Sequence, residues 1–329
     1  MKLQQLRFLN AVVRNNLNVS SAANELYTSQ PGVSHQIKLL EEELDIEIFE
    51  RAGKKLTGIT SAGYAVLEHV DELLANVKNI KQAAEEYSKF HRGSLSIATT
   101  HTQAKYVLPK IFHQFAKMYP NIELQIHLGN PREMCKLAAS NQVDFVIATE
   151  GLDNFGEIQT IPCYKWNRYI IVPKQHSLAA KKSVTLADLA AFPILTYTMG
   201  ICNQSIMQKA FKEEHLAPNV VLTATDSDVI KTYVELGIGV GIIGEMACTK
   251  LTREQFSLIY AQHLFKDSVN MIGFRQSRHI PEHQVAFINL LAPQLSKDII
   301  KEVISTKDRA SRDSKINSYP VKSFSNYYS

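Results

Sequence analysis

The sequence predicts a multidomain chain: a winged helix-turn-helix at the N-terminus, a long dimerising linker helix, and a C-terminal two-lobed α/β domain. Three observations predict it. Short amphipathic helices with a tight turn between the second and third fill residues 3–45. One apolar seam with a period near 3.5 runs through residues 64–87, and from residue 93 to about 304 short apolar strands alternate with helices. A length of 329 residues accommodates two or three such units. The composition, 45% hydrophobic and 21% charged, excludes a disordered, collagenous or disulfide-stapled chain.

The formal net charge is only +4, so a nucleic-acid partner has to be argued from local placement of charge. No stretch approaches the roughly 18 apolar residues of a spanning helix. Residues 1–10 lack a secretory pattern, so a cytoplasmic protein with no membrane role is expected. Cys135, Cys163, Cys202 and Cys248 stand far apart with no C-x-x-C pair, which argues against a zinc or redox site.

Taken in order, residues 3–15 place Leu6, Leu9 and Val13 on one helical face. A second helix follows Ser20, a good N-cap type, and passes through Ala22 and Ala23 to Leu26. The third opens at Ser29, with Pro31 in its first turn, where a missing N–H costs nothing. Its inward face is expected to carry Val33, Ile37, Leu40 and Leu44. The opposite face aligns Gln30, Ser34 and Lys38 at i, i+4 and i+8, flanked by Pro31 and His35. These are short polar groups able to reach base edges, plus one cation. Alone, such a stripe fits any solvated helix equally well. The following segment tips the balance, because Arg51, Lys54 and Lys55 cluster around Gly53 in the manner of a basic wing gripping phosphates.

The run at 18–34, continued by Leu39, Leu40, Glu41 and Leu44 and by Ile-Phe-Glu-Arg at 48–51, resembles the winged helix-turn-helix of LysR-type transcriptional regulators. The resemblance implies a DNA-binding domain at 1–60 that faces promoter DNA with Ser29, Gln30, Pro31, Ser34, His35, Lys38, Arg51, Lys54 and Lys55, and RNA polymerase as a further partner. Val66, Val70, Leu73, Val77, Ile80, Ala84 and Tyr87 then recur at alternating steps of four and three. A helix cannot bury such a stripe against itself, and a second copy of the chain is the simplest partner. In the family this helix, 61–91, is the dimerising linker, and dimers commonly pair into homotetramers.

Strand patterns near 95–100, 122–128, 145–149, 169–172, 194–197, 220–223, 240–243 and 269–274 alternate with helical ones. The order resembles the periplasmic-binding-protein-like effector domain of the same family. Lobe I is expected at 92–163 with 268–304 and lobe II at 164–267, with crossovers near Cys163 and Asp267. Residues 305–329, rich in Ser, Lys and Arg, are expected to form a disordered tail.

Thr99 to Gln103 follow the first strand of this domain. Ligands of open α/β sheets gather at such strand ends, where a helix N-terminus offers free N–H groups to an anion. Capping explains one of these side chains but not the density of hydrogen-bonding groups. Thr149 ends another strand, and Trp166, the single tryptophan, follows the expected crossover, where it can wall a cleft. Residues 98–104, 147–150, 162–168, 196–200 and 223–233 resemble the branch of the family that activates sulfur-assimilation and cysteine-biosynthesis genes. That resemblance implies that Thr100, Thr102, Gln103 and Thr149 contact N-acetylserine or O-acetylserine, or a sulfate in its place, with Trp166 nearby and no cofactor or metal. Cys202 stands where that branch carries an effector-contacting threonine, and a thiol is the weaker donor.

A related regulator of sulfonate or sulfate-ester use is the nearest alternative. A small-molecule enzyme rests on the glycine run at 237–244, which leads into a strand-like pattern where a dinucleotide fingerprint needs a helix start. No catalysis is expected. A transporter's solute-binding protein shares the lobes but not the N-terminal module.

Overall fold

The computed structural model describes residues 1–53, 55–86, 93–149, 152, 155–181, 183–198, 206–276, 278–306 and 308–328. Lys54, Tyr87 and Cys202, to which the sequence assigns roles, lie outside the described residues. The chain divides into two compact units, Met1–Ala84 and Glu85–Ser329.

The first unit opens with α1 (Leu3–Arg14), α2 (Val19–Glu25) and α3 (Gln30–Leu44). Asn18 rather than Ser20 caps α2, its side chain accepting the Ser21 N–H at 3.0 Å. Ser29 caps α3 by accepting from the Gly32 N–H. Leu6, Leu9, Val12, Val33, Ile37 and Leu40 close one core. Leu44 departs from the expected inward face and is exposed. The helix stops immediately after it, at Asp45 in the left-handed region (φ 54), and its last turn projects beyond the core. The hairpin β1 (Phe49–Ala52) and β2 (Lys55–Ile59) turns at Gly53, whose φ of 63 suits glycine.

Then comes α4 (Ser61–Glu86). Its early seam is already occupied: Leu67 and Val70 are buried in the same core, with Val66 and Leu74 packed against it. Leu73 and Ile80 remain exposed, Ile80 by 69%. The stripe free to meet a partner therefore starts about two turns later than the sequence pattern suggests.

The second unit builds lobe I from β3 (Gly93–Thr99), α5 (His101–Tyr106), α6 (Leu108–Met118), β4 (Ile122–Leu128), α7 (Pro131–Ala139), β5 (Phe145–Ala148) and β6 (Ile158–Trp166). Lobe II holds β7 (Arg168–Pro173), α8 (Leu186–Ala190), β8 (Ile194–Tyr197), α9 (Ile206–Glu213), β9 (Val220–Ala224), α10 (Ser227–Glu235), β10 (Val240–Gly244), α11 (Lys250–Gln255) and β11 (Phe256–Tyr260). The chain returns to lobe I with β12 (Ser268–Arg275), α12 (Glu282–Leu291) and α13 (Lys297–Ser305). The sheets run β4-β3-β5-β12-β6 and β11-β7-β10-β8-β9. In lobe I the first three strands are parallel, and β12 lies antiparallel between β5 and β6. The glycine run serves packing: a Cβ on Gly239 would sit 2.2 Å from the Pro193 carbonyl oxygen, and one on Gly241 would sit 2.6 Å from Ile171.

Two expectations need correction. The first crossover is at Asn167, not near Cys163, because β6 continues to Trp166. Cys163 is instead the extra residue of a bulge: Met271 pairs with Pro162 and Asn270 with Tyr164. The inserted residue shifts the alternation, so Ile161, Cys163, Tyr164 and Trp166 all reach the core face, whereas Ile158, Thr160 and Pro162 point the other way.

The second correction concerns the tail, which is ordered as α14 (Arg309–Asn317) and α15 (Phe324–Tyr328). A few widely spaced anchors inside a polar composition account for this. Ile316 joins the lobe I core, and Tyr319, Phe324 and Tyr327 pack on it. The Lys165 N–H donates to the Lys322 carbonyl at 2.9 Å and Lys165 bridges to Ser323, which covers the free edge of β6.

Candidate effector site and nucleic-acid interface

On α3, Gln30, Pro31, His35 and Lys38 are exposed and Ser34 is half-buried. Gln30 Nε2 donates to Ser34 Oγ at 3.1 Å, so the two polar groups present a joined surface. Lys38 lies 3.5 Å from Glu42, an exposed pair of little strength. Ser29 differs from its neighbours, since its hydroxyl is committed to capping the helix. Glu41 ties this helix to the wing. Its buried carboxylate accepts the Ile48 and Phe49 N–H groups at 2.9 and 3.3 Å and takes the Arg51 guanidinium at 2.6 Å. Arg51 is thus partly a structural brace, while Lys55 is exposed without an ion pair among the described residues. Tyr27, 98% exposed in the turn before α3, is a surface group to which sequence reasoning assigned no role.

In lobe I the segment after β3 carries three of the expected effector residues, Thr100, Thr102 and Gln103. Thr99 is committed to the sheet, donating to the Ile147 carbonyl at 3.0 Å. Thr100 is the N-cap of α5 by position, yet its side chain makes no capping bond. Thr102 and Gln103 are buried, and Gln103 Oε1 accepts the Tyr164 hydroxyl. Trp166 Nε1 donates to Thr149 Oγ1 at 3.1 Å, and that hydroxyl reaches Asn270 Oδ1 at 3.5 Å. Asn270 is fully buried, and its Nδ2 has no hydrogen-bond partner among the described residues. With only six residues, α5 has a weak dipole, so recognition here falls to side-chain donors.

Lobe II supplies the facing wall. Tyr197 Oη accepts the Gly244 N–H at 3.0 Å and lies against the Thr102 and Ser227 hydroxyls. Burial pushes its phenol up, so it stays protonated. Ser227 is fully buried at the start of α10, beside the Tyr106 and Tyr197 phenols but not aligned with either for a hydrogen bond. Beside this polar group the lobes are latched. Asp228 of α10 accepts from both Lys105 and Tyr106 of α5, and Lys231 Nζ sits 3.0 Å from Tyr106 Oη. Burial alone would raise the Asp228 carboxyl, but Lys105, Tyr106 and Lys231 together hold it below its ordinary value. His101 Nδ1 adds a contact of 3.1 Å to Asp226.

Residues 3–64 match the family model for the bacterial regulatory helix-turn-helix protein, lysR family, and residues 88–296 match the LysR substrate binding domain. The chain belongs to the LysR family of transcriptional regulators. It is 43% identical over 311 residues to the HTH-type transcriptional regulator CysB of Haemophilus influenzae, covering 94% of this chain and 96% of that protein. It is 40% identical over 297 residues to the regulator SsuR of Burkholderia cenocepacia, covering 90% and 96%. The crystal structure of the cofactor-binding domain of the Cbl transcriptional regulator superposes with a TM-score of 0.62 at 33% identity, over 65% of this chain and 95% of that domain.

As a LysR-family member the chain is a regulator and not an enzyme. Among the described residues no helix is long and apolar enough to cross a membrane. Tyr164, Tyr197, Ser227 and Asn270 escaped the sequence reading. A signal existed for Asn270, a lone amide at an inward position of the apolar stretch 268–274, and for Ser227, directly after the capping Asp226. For Tyr164 none did, because a bulge sets its direction.

Proposed function

We propose that this LysR-family regulator is a cytoplasmic, homo-oligomeric activator of sulfur-assimilation and cysteine-biosynthesis genes, controlled by a small acetylated serine such as N-acetylserine or O-acetylserine bound between its lobes. The observation that carries the reading is the meeting of Thr102 of lobe I with Tyr197 and Ser227 of lobe II in a largely buried polar cluster, beside the buried Gln103–Tyr164 pair. Unpaired groups at Asn270 and Ser227 suit the carboxylate and amide of such a ligand, and sulfate fits the same donors. Thr100, Thr149 and Trp166 line the lobe I side, and Cys202 is assigned to the cleft by resemblance alone.

Gln30, Ser34 and His35 read base edges while Pro31 and Ser29 set the start of the helix. Lys38, Arg51, Lys54 and Lys55 hold phosphates. The exposed seam from Leu73 to Ile80 supports pairing of two linker helices, with tetramers built from such dimers and RNA polymerase as the downstream partner.

A promoter footprint and transcription assay titrated with N-acetylserine, O-acetylserine and sulfate tests this. A shifted footprint and raised transcription with one of the acetylated serines are expected; no response to any of the three would overturn the effector assignment. The likeness to SsuR favours a second reading, control of sulfonate or sulfate-ester use through a sulfated nucleotide. A response to a sulfated nucleotide with none to acetylated serines selects it.

A further inference from the structure

A cavity of about 380 Å³ lies on lobe I between α14 and the face of β6 and β12 that points away from Tyr164 and Trp166. Its floor is apolar, formed by Ile158, Pro162, Val269 and Met271, with Ile316 of α14 on its wall. Into this apolar setting the tail places Arg312, only 5% exposed. Its Nε and Nη1 are buried with no hydrogen-bond partner among the described residues. The carboxylate within ion-pair reach is Asp313, 3.8 Å from Nε, and Asp313 is itself exposed and turned toward Arg309 at 3.6 Å.

A buried guanidinium with unmade hydrogen bonds is destabilising unless something completes it. Its planar fork matches a two-oxygen anionic head, and the surrounding methyl and methylene groups match a short hydrocarbon body. The rim adds a hydroxyl from Thr160, an amide from Asn317 and a second cation from Arg309. Two arginines and one aspartate line the cavity, and a second aspartate, Asp308, lies within electrostatic reach of Arg312 from outside it. The size falls within the range of small-ligand pockets.

We propose that this cavity is a second small-molecule site, taking an organic monoanion whose carboxylate or sulfonate head sits on Arg312 and whose short apolar body lies against Ile158 and Met271. A ligand there ties α14 to β6, the strand that carries Tyr164 and Trp166 to the effector cleft on its other face. The tail thereby becomes a sensing element. This inference stands apart from the identity of the cleft effector, because none of its residues lines the cleft.

The test uses the full chain with butyrate, 1-butanesulfonate and inorganic sulfate as probes, followed by calorimetry and by hydrogen exchange over residues 309–317. Butyrate, butanesulfonate or both are expected to saturate and to slow exchange in α14. Arg312→Gln should weaken binding at least tenfold, and the exposed rim change Asn317→Asp several-fold, by like-charge repulsion in an intact tail. Thr102→Val in the cleft should leave both readouts unchanged. A preference for butyrate over butanesulfonate identifies a carboxylate ligand, and the reverse a sulfonate. The proposal fails if neither organic probe binds, if sulfate binds as tightly as either, if Arg312→Gln and Asn317→Asp both bind like the unaltered chain, or if Thr102→Val abolishes uptake.

Discussion

Asp144 and Arg278 sit at 1% and 0% side-chain exposure, where each depends on the other for its charge to be tolerable. Asp144 also accepts the Ser96 N–H at 2.7 Å and its hydroxyl at 3.0 Å, while Arg278 donates to Gln284 at 2.9 Å. Asp144→Ala leaves a buried guanidinium with only neutral acceptors, the Gln284 amide oxygen and longer contacts to the Val143 and His279 carbonyls, and is expected to cost about 3–5 kcal/mol in urea unfolding. Asp144→Asn, which keeps an acceptor, should cost less. Glu245 is the opposite case, a carboxyl pushed up to about 7 by burial, with Asp267 adding repulsion and Asn167 only partly offsetting it. Its folded value lies above an unfolded one near 4.3, so the stability it contributes is fully present below about pH 4 and is lost as pH rises through about 7. Glu245→Gln should therefore gain on the unaltered chain across that window and level off above it. Partial exposure limits the gain to about 1–2 kcal/mol, read from urea midpoints at a series of pH values. Because Glu245 adjoins Asn167 and Asp267 at the two crossovers, its ionisation bears on the hinge between the lobes.

Gly63 shows how element packing overrides propensity. Inside an ordinary helix, alanine would be favoured by about 1 kcal/mol. Here a Cβ would stand 2.2 Å from the Ile48 carbonyl oxygen and 2.9 Å from the Ile59 side chain, where α4 crosses the wing. Gly63→Ala is expected to destabilise the DNA-binding unit by about 1–3 kcal/mol, seen as a lower melting temperature and weaker DNA binding. Elements of this kind were legible from the sequence wherever period carried the signal. Val33, Ile37 and Leu40 on α3 and the β-branched stretches of β5, β8, β9 and β10 lie where their spacing places them. Leu44 did not follow its period because the helix ended first. The tail did not announce itself because Ile316, Phe324 and Tyr327 are too few and too uneven to form a stripe. At the site the contiguous run Thr100 to Gln103 was readable as a cluster. Asn270 reaches it through the late return of β12 into the lobe I sheet, and Tyr197 and Ser227 come from lobe II and reach it only where the two lobes meet.

At the scale of the whole molecule, the net charge of +4 does little to describe how charge is used. The tail from Lys307 onward carries five basic and two acidic residues, and of these Arg312 is buried and Lys315 is paired with Glu302. On the proposed reading the cations that meet DNA are those near α3 and the wing, a local field independent of the total. Charge between the lobes has another use. Asp228 accepts from Lys105 and Tyr106 across the cleft, with Lys231 against Tyr106 and His101 against Asp226 beside it, so this partly exposed carboxylate is the centre of the contacts that hold the arrangement in which Thr102 meets Tyr197. Removing that charge should lower the fraction of molecules in the binding-competent closed state, and apparent affinity falls in proportion to that fraction. A loss of about 0.5–1.5 kcal/mol corresponds to the proposed effector, N-acetylserine, binding roughly 2- to 12-fold more weakly to Asp228→Asn, measured by calorimetry. Small-angle scattering of the ligand-free variant should show a larger radius of gyration. Lys105→Met alone should weaken binding less, and adding it to Asp228→Asn should do little more, because the two residues share one interaction. Full additivity of the two changes, or an affinity unchanged by Asp228→Asn, would place lobe closure under the control of the ligand contacts and not of the latch.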